Sequence, residues 1–136
     1  MLIAGIDPGV NTGIAVWDTA SRQLVAVTCT GIVKAFRFLE DYRISRLYFE
    51  DARMRKWIPS ERDIRQFKGR AMGAGSVKRD CSIWQEWCEV NGIEYVAVPP
   101  KNNTTKLSDA MFRGITGYDG RTNEHGRDAA MLVFGI

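Results

Sequence analysis

Residues 2–28 read LIAGIDPGVNTGIAVWDTASRQLVAVT, and this stretch decides the fold. It contains three short apolar runs, at residues 2–6, 13–17 and 23–28, and a polar turn at residues 18–22 separates the last two. Short apolar runs bounded by Gly, Pro, Asn, Asp and Ser are typical of β-strands joined by tight turns. The chain is therefore predicted to begin with three consecutive strands.

A helix and two further strands are predicted next. Apolar side chains recur at helical spacing over residues 32–42, so this helix should dock on one face of the sheet. Residues 46–50 and 94–98 read as the fourth and fifth strands, and Pro99 and Pro100 stop the fifth. The order of elements predicts an α/β domain with a mixed five-stranded sheet flanked by helices.

Three more helical segments complete the predicted pattern. Ser60 opens a Ser-x-x-Asp capping pattern that predicts a helical region over residues 60–90, interrupted near residues 69–75. Residues 106–112 read as a short helix, and residues 126–134 as the last one.

Length and composition bound the class of protein. The chain has 136 residues, which suffices for a single domain over residues 1–136 and excludes enzymes built from two large lobes. Apolar residues make up 45% and charged residues 26%, as in soluble globular proteins. No apolar run approaches the roughly 18 residues of a membrane span, and Asp7 comes too early for a signal peptide. We therefore expect a cytoplasmic protein without membrane association, whose cysteines are reduced thiols.

The net charge of +3 is unevenly distributed along the chain. Between Arg53 and Arg70 there are seven basic residues and two acidic ones, with Trp57 and Phe67 among them. Cations that follow phosphates and rings that stack on unpaired bases form nucleic-acid surfaces, although a charge run is as typical of a solvated helix face. The predicted DNA-binding residues are Arg53, Arg55, Lys56, Trp57, Arg62, Arg65, Lys68 and Arg70.

Two acids stand where predicted strands end. Asp7 follows the first strand and Glu50 ends the fourth, and these strands can be neighbours in a mixed sheet. Facing carboxylates repel each other unless a cation lies between them, and their oxygens suit Mg²⁺ or Mn²⁺. Asp51 is an alternative to Glu50, and Asp7 could instead cap its own turn.

The only histidine of the chain, His125, lies three residues before Asp128 at the start of the last predicted helix. Residues at this spacing can present to one side of a helix. The apolar residues 129–134 should pack this helix on the sheet and bring its start near Asp7. Three carboxylates could then hold two divalent ions, which activate a water and stabilise the leaving oxygen of an in-line displacement. A lone histidine is otherwise most often a surface residue.

Taken in order, these motifs resemble the RuvC-type Holliday-junction resolvases of the ribonuclease H-like superfamily. The resemblance extends over nearly the whole chain and rests on residues 5–9, 12–13, 49–50, 69–74, 98–101 and 125–130. It implies a ribonuclease H-like sheet of three antiparallel strands followed by two parallel ones. It also implies a homodimer that cuts four-way or branched DNA junctions by paired nicks with Mg²⁺, for which Mn²⁺ can substitute. The short chain would fit a compact, phage-type member.

The resemblance implies roles for six residues. Three carboxylates and an imidazole would bind two Mg²⁺ ions, the imidazole serving as a fourth ligand or positioning the attacking water: Asp7, Glu50, Asp128 and His125. Two basic residues would lie near the scissile phosphate: Lys101 and Lys106. The chain departs from the family after Glu50, where aromatic residues that help to open the junction are replaced by a basic segment.

Other interpretations share parts of this pattern. The first turn is also typical of actin-like and sugar-kinase ATP-binding proteins, but that class needs two lobes. An RNA-processing nuclease of YqgF type and a catalytically inactive junction-binding module are the remaining alternatives. Gly69 and Gly73, one helical turn apart, would permit either a dimer contact or close packing on the sheet.

Overall fold

The computed structural model describes residues 1–55, 68–101 and 106–136, with the backbone alone for residues 68–72 and 74. In these ranges the chain forms five strands, four α-helices and a short 3-10 helix at Ala52–Met54. The strands are β1 Leu2–Asp7, β2 Thr12–Asp18, β3 Gln23–Thr30, β4 Ile44–Glu50 and β5 Glu94–Val98. The helices are α1 Ile32–Glu40, α2 Lys68–Asn91, α3 Asp109–Thr116 and α4 Glu124–Met131.

The strands form one mixed sheet in the order β3-β2-β1-β4-β5. β1 pairs antiparallel with β2, and β2 with β3. β4 lies parallel to β1, and β5 parallel to β4. The predicted sheet of three antiparallel strands followed by two parallel ones is confirmed, and it places the ends of β1 and β4 side by side.

Side chains alternate between two cores because successive residues of a strand point to opposite faces. On one face Ile6 and Phe49 are fully buried with the inward sides of α1 and α2, including Trp84. On the other face Ile3 and Ala15 are buried with residues of α3, α4 and the turn that follows α4.

Two glycines allow α4 to lie directly on the sheet. A Cβ at Gly5 would fall far inside contact distance of the Ala129 carbonyl oxygen, and one at Gly13 would do the same with the carbonyl of His125. Glycine is the residue that permits such an approach of two backbones.

Several helix boundaries differ from the sequence predictions. α2 runs without interruption through Gly73 and Gly75, where a break was predicted, and residues 60–67 with the Ser60 cap lie outside the described residues. α3 begins at Asp109 instead of residue 106, because the Ser108 hydroxyl accepts a hydrogen bond from the Met111 N–H and caps the helix. It ends at Gly117, whose φ of 70° lies in the left-handed region.

The outer edge of β3 is partly covered. The Val27 N–H donates a hydrogen bond to the Tyr118 hydroxyl at 3.3 Å. A register shift between Val16 and Trp17 leaves an irregularity in the pairing of β2 with β3. Both features disturb the row of hydrogen-bonding groups that an edge strand presents.

The three cysteines are free thiols. Burial raises the pKa of Cys81 to about 11 and that of Cys88 to about 12, so both thiols stay protonated at neutral pH.

Among the helices of residues 1–55, 68–101 and 106–136, none is both long and apolar enough to span a membrane.

Candidate active site

The first two predicted site residues meet at the ends of β1 and β4. Ile6 is paired with Phe49 in the parallel register, so Asp7 and Glu50 follow that pair on neighbouring strands. Because Ile6 and Phe49 point toward α1 and α2, strand alternation directs both carboxylates to the face that carries α4. The side chain of Asp7 is 19% exposed, and Glu50 is half-buried.

α4 brings the other two predicted residues to the same place. The Asn123 side chain accepts a hydrogen bond from the Gly126 N–H at 2.9 Å and starts the helix two residues earlier than predicted. The Nδ1 atom of His125 then lies 3.1 Å from Oδ2 of Asp7. One turn later, the Asp128 carboxylate contacts the ammonium group of Lys106. The proximity of these groups is observed, while their catalytic roles stay predictions.

The three acids are close enough to perturb one another. Burial raises the pKa of Asp7, the hydrogen bond with His125 lowers it, and the charge of Asp128 raises it. The net effect is a raised pKa. Burial also raises the pKa of Glu50, with added contributions from the charges of Asp7 and Asp128. The hydrogen bond to Asp128 raises the pKa of Lys106. Three carboxylates therefore share one partly buried site.

The donor chemistry of this site fits a hard divalent cation, because carboxylate oxygens that repel one another are stabilised by such an ion. However, the part of the chain that the structure describes holds no group of three or more His, Cys, Asp and Glu side chains arranged to hold a metal ion directly. Asp128 is engaged by Lys106, and Asp7 is in contact with His125. A cation held by Asp128 would take the place that the Lys106 ammonium group occupies beside this carboxylate.

The alternative acid, Asp51, has a different environment. It is 3% exposed and accepts hydrogen bonds from the backbone and guanidinium of Arg53, which lowers the pKa of the Asp51 carboxyl. Its N–H donates to the Val98 carbonyl at 2.8 Å. Asp51 thus stabilises the turn after β4, and Glu50 is the acid whose charge interacts with Asp7 and Asp128.

Arg127 is a residue that the sequence reasoning missed. Its Nε donates to the Leu107 carbonyl at 3.0 Å, and its Nη1 donates to the carbonyl and hydroxyl of Thr122 at 3.2 and 3.1 Å. It therefore joins the segment that carries Lys106 to the helix that carries Asp128. The acceptors are mostly backbone oxygens, one of them 20 residues away, so no side-chain motif indicates this role.

The predicted DNA-binding residues fall into three groups. Arg55 is exposed, and its charge acts on Glu50, so it borders the site. Arg53 is engaged within the chain, with side-chain bonds to Asp51, Ser82 and Gln85. The others lie outside the described residues, either entirely or in their side chains: Lys56, Trp57, Arg62, Arg65, Lys68 and Arg70.

Of the two predicted lysines, only Lys106 is placed by a contact with the acids. Lys101 is exposed, directly after the two prolines that follow β5, and residues 102–105 lie outside the described residues.

Comparison with known proteins gives a match only at the level of structure. No family model matches the chain, and no curated protein matches its sequence. Thermus thermophilus RuvC in complex with a Holliday junction substrate superposes with a TM-score of 0.62 at 17% identity, over 98% of this chain and 90% of that one. A second T. thermophilus RuvC structure gives a TM-score of 0.61 at 16% identity, over 98% and 92%. The chain therefore has a RuvC-like fold, as its motifs predicted.

Proposed function

We propose that the protein is a structure-selective DNA endonuclease that resolves four-way junctions by paired, metal-dependent nicks. Residues 1–136 act as its single nuclease domain. The observation that carries this proposal is the convergence of Asp7, Glu50 and Asp128 at one partly buried site, where the charge of Asp128 contributes to raising the pKa of Asp7, and the charges of Asp7 and Asp128 contribute to raising that of Glu50. The RuvC-like fold supports it, since one of the matched structures is a RuvC bound to a Holliday junction substrate.

Asp7, Glu50 and Asp128 would hold the divalent ions, Mg²⁺ or, as a substitute, Mn²⁺. Bound ions of this kind polarise a phosphate and activate the attacking water. His125 is held by Asp7 at 3.1 Å, which fixes the ring where it can serve as a further ligand or orient that water. Burial and neighbouring carboxylates raise the pKa values of Asp7 and Glu50, which means that their ionised forms lack stabilisation. A bound cation would supply that stabilisation.

The substrate phosphate would be met by cations of the chain. The side chain of Lys106 is 62% exposed beside Asp128, so its ammonium can approach a phosphate oxygen and stabilise the charge that develops there. Arg55 and Lys101, both exposed, would attract the DNA backbone.

Paired nicks require two active sites related by symmetry, so we propose a homodimer. A four-way junction has approximate two-fold symmetry, and a two-fold dimer presents the same site to two strands. At Gly73 in α2, a Cβ would meet nothing within 4 Å in the described part of the chain, so this side of the helix has room for a second copy. Packing of Gly73 on the sheet, the other interpretation of this glycine, has no support in that observation.

The test is cleavage of synthetic four-way, forked and linear DNA and of structured RNA, each with Mg²⁺, Mn²⁺ or Ca²⁺. We expect symmetric nicks in the four-way junction with Mg²⁺ or Mn²⁺ and no comparable cutting of linear DNA. Preferential cutting of RNA would indicate the YqgF-type alternative, and binding of the junction without cutting in any metal would indicate an inactive module. Equal cutting of all DNA substrates would indicate a nuclease that does not select for DNA structure, which contradicts the proposed selectivity.

A further inference from the structure

The chain leaves β4 through a turn that is fixed from several sides. Directly after Glu50, the Asp51 N–H donates to Val98 at 2.8 Å, which continues the parallel pairing of β4 with β5. The Asp51 carboxylate then caps the 3-10 helix by accepting the Arg53 N–H at 3.0 Å. Glu50 itself accepts, through its carbonyl, a hydrogen bond from the Cys81 thiol at 3.6 Å.

Arg53 connects this turn to α2. Its Nε and Nη2 donate to the two oxygens of Asp51, each at 2.8 Å, in a bidentate pair. The same Nη2 donates to Gln85 Oε1 at 2.8 Å, and Nη1 donates to Ser82 Oγ at 3.3 Å. All three nitrogens of the guanidinium are thus used by partners within the chain.

This arrangement disagrees with a phosphate-binding role for Arg53. A guanidinium that contacts DNA needs donors directed to solvent. Arg53 lies at the surface, but its nitrogens are directed to Asp51, Ser82 and Gln85. Arg55, two residues later, is exposed and has no such partner in the described part of the chain. The two arginines therefore differ in what they can do, although both belong to the same basic segment.

We propose that Arg53 is a positioning residue for Glu50. By joining Asp51 to Ser82 and Gln85, it holds the end of β4 against α2 and fixes the direction in which the Glu50 carboxylate leaves the strand. Removal of a hydrogen-bonding partner of a metal ligand commonly changes metal affinity or activity by about 10- to 100-fold. Arg53 acts on Glu50 one residue further away, through Asp51 and the turn, so we expect an effect at the lower end of this range. This inference rests on the proposed function, because it assigns Arg53 to the same set of acids.

The conservative substitution separates geometry from charge. Lysine keeps the positive charge, but it cannot form the planar fork that reaches both oxygens of Asp51 together with Gln85. If Arg53 positions Glu50, Arg53→Lys should behave as a damaged variant. If it only attracts phosphate, Arg53→Lys should resemble the wild type.

The experiment compares Arg53→Lys with the matched control Arg37→Lys, an exposed arginine of α1 that has no role in the proposed site, and with Arg55→Ala, in steady-state cleavage of a four-way junction. For Arg53→Lys we expect kcat to fall by about tenfold with KM nearly unchanged. For Arg37→Lys we expect wild-type kinetics, and for Arg55→Ala a raised KM, since Arg55 is proposed to attract the DNA backbone. Wild-type kinetics of Arg53→Lys would overturn the proposal, as would an effect confined to KM.

A second measurement does not depend on activity. Titration of the free proteins with Mn²⁺, followed by electron paramagnetic resonance, should show binding to Arg53→Lys that is about tenfold weaker and binding to Arg37→Lys that is unchanged. Equal Mn²⁺ affinity of the two variants would contradict the positioning role. A wild-type protein that neither cuts nor binds Mn²⁺ would instead refute the proposed function itself.

A milder variant covers the case in which Arg53→Lys does not fold. Gln85→Ala removes one partner of Arg53 on the surface of α2 and leaves the bidentate pair with Asp51 intact. We expect a severalfold loss of kcat and of Mn²⁺ affinity, in the same direction as Arg53→Lys. A Gln85→Ala variant with wild-type kcat and wild-type Mn²⁺ affinity would show that the link to α2 does not position Glu50.

Discussion

The two faces of the sheet are packed in different ways. On the face of α1 and α2, aromatic side chains fill the space between helices and strands, with the ring of Phe36 4.6 Å from that of Trp84 and 5.6 Å from that of Trp87. On the opposite face, α4 meets the sheet backbone directly at Gly5 and Gly13. The first face is a thick layer of aromatic side chains, whereas on the second face the core is interrupted where the backbone of α4 touches the sheet.

The difference indicates which face of the sheet tolerates small changes in packing and which does not. A thick core can absorb small changes because side chains repack, whereas a helix in contact with backbone has no side chain that could give way. The closely packed face is also the one on which Asp7, His125 and Asp128 meet. Close docking thus fixes the distance between groups that come from opposite ends of the chain.

The strongest test of the close face is Asp7→Asn. We expect junction cleavage to fall at least about a thousandfold, equivalent to about 4 kcal/mol of activation free energy, with junction binding retained. In EDTA, the thermal midpoint should rise. Burial and a neighbouring carboxylate raise the pKa of Asp7 in the folded protein, so its ionised form opposes folding at neutral pH, and the neutral amide avoids this cost.

Cleavage assays and thermal unfolding of the same preparation check both halves of this prediction. A variant that cuts at the wild-type rate would remove Asp7 from the mechanism. A variant that is inactive but has a lowered midpoint would mean that Asp7 supports the fold, for example through His125, and that loss of activity reflects the structure.

The second test adds one methyl group where α4 meets the sheet, by Gly13→Ala, and one in α2 on the opposite face, by Gly75→Ala. Gly13→Ala should lower the free energy of unfolding by about 3 kcal/mol, since the new Cβ would collide with the His125 carbonyl and only a shift of α4 could relieve it. Gly75→Ala, in the interior of α2 where nothing in the described part of the chain lies within 4 Å of a Cβ, should raise it by about 0.5–1 kcal/mol. Urea unfolding measures both values, and similar effects of the two substitutions would disprove the contrast between the regions.

A smaller loss of stability than that of Gly13→Ala is expected in the thick core. Trp84 is fully buried, and its indole N–H has no hydrogen-bond partner in residues 1–55, 68–101 and 106–136. Trp84→Phe removes this unsatisfied donor and also some packing, so the two effects oppose each other and the net loss should stay within about 1–2 kcal/mol. Junction cleavage should stay within twofold of the wild type. A loss of activity without loss of stability would mean that the thick face also sets the geometry of the site.

Much of the fold could be predicted from the sequence because its signals are local. The apolar runs of residues 2–28 correctly predicted three strands, and the order of motifs correctly predicted the whole sheet through the RuvC-type resemblance. Pro99 and Pro100 correctly marked the end of β5. Each of these features depends on the residues that form it and on no distant partner.

The rest depended on partners that are far away in the chain. Arg53 reads as one more cation of a basic segment until Ser82 and Gln85, 29 and 32 residues later, are seen to accept its hydrogen bonds. The choice between Glu50 and Asp51 required the strand register, since a shift of one residue exchanges the two faces of a sheet. The start of α3 was wrong for a local reason, because the capping signal of Ser108 was overlooked.

The hydrogen bond between Val27 and Tyr118 has a consequence for self-association. An outer strand with free N–H and C=O groups can recruit a strand from another molecule, which is a common route to aggregation. At β3 an incoming strand would have to displace the Tyr118 hydroxyl from Val27 and also match the irregular register beside Trp17. Growth of the sheet by addition of further chains is thus discouraged on this side.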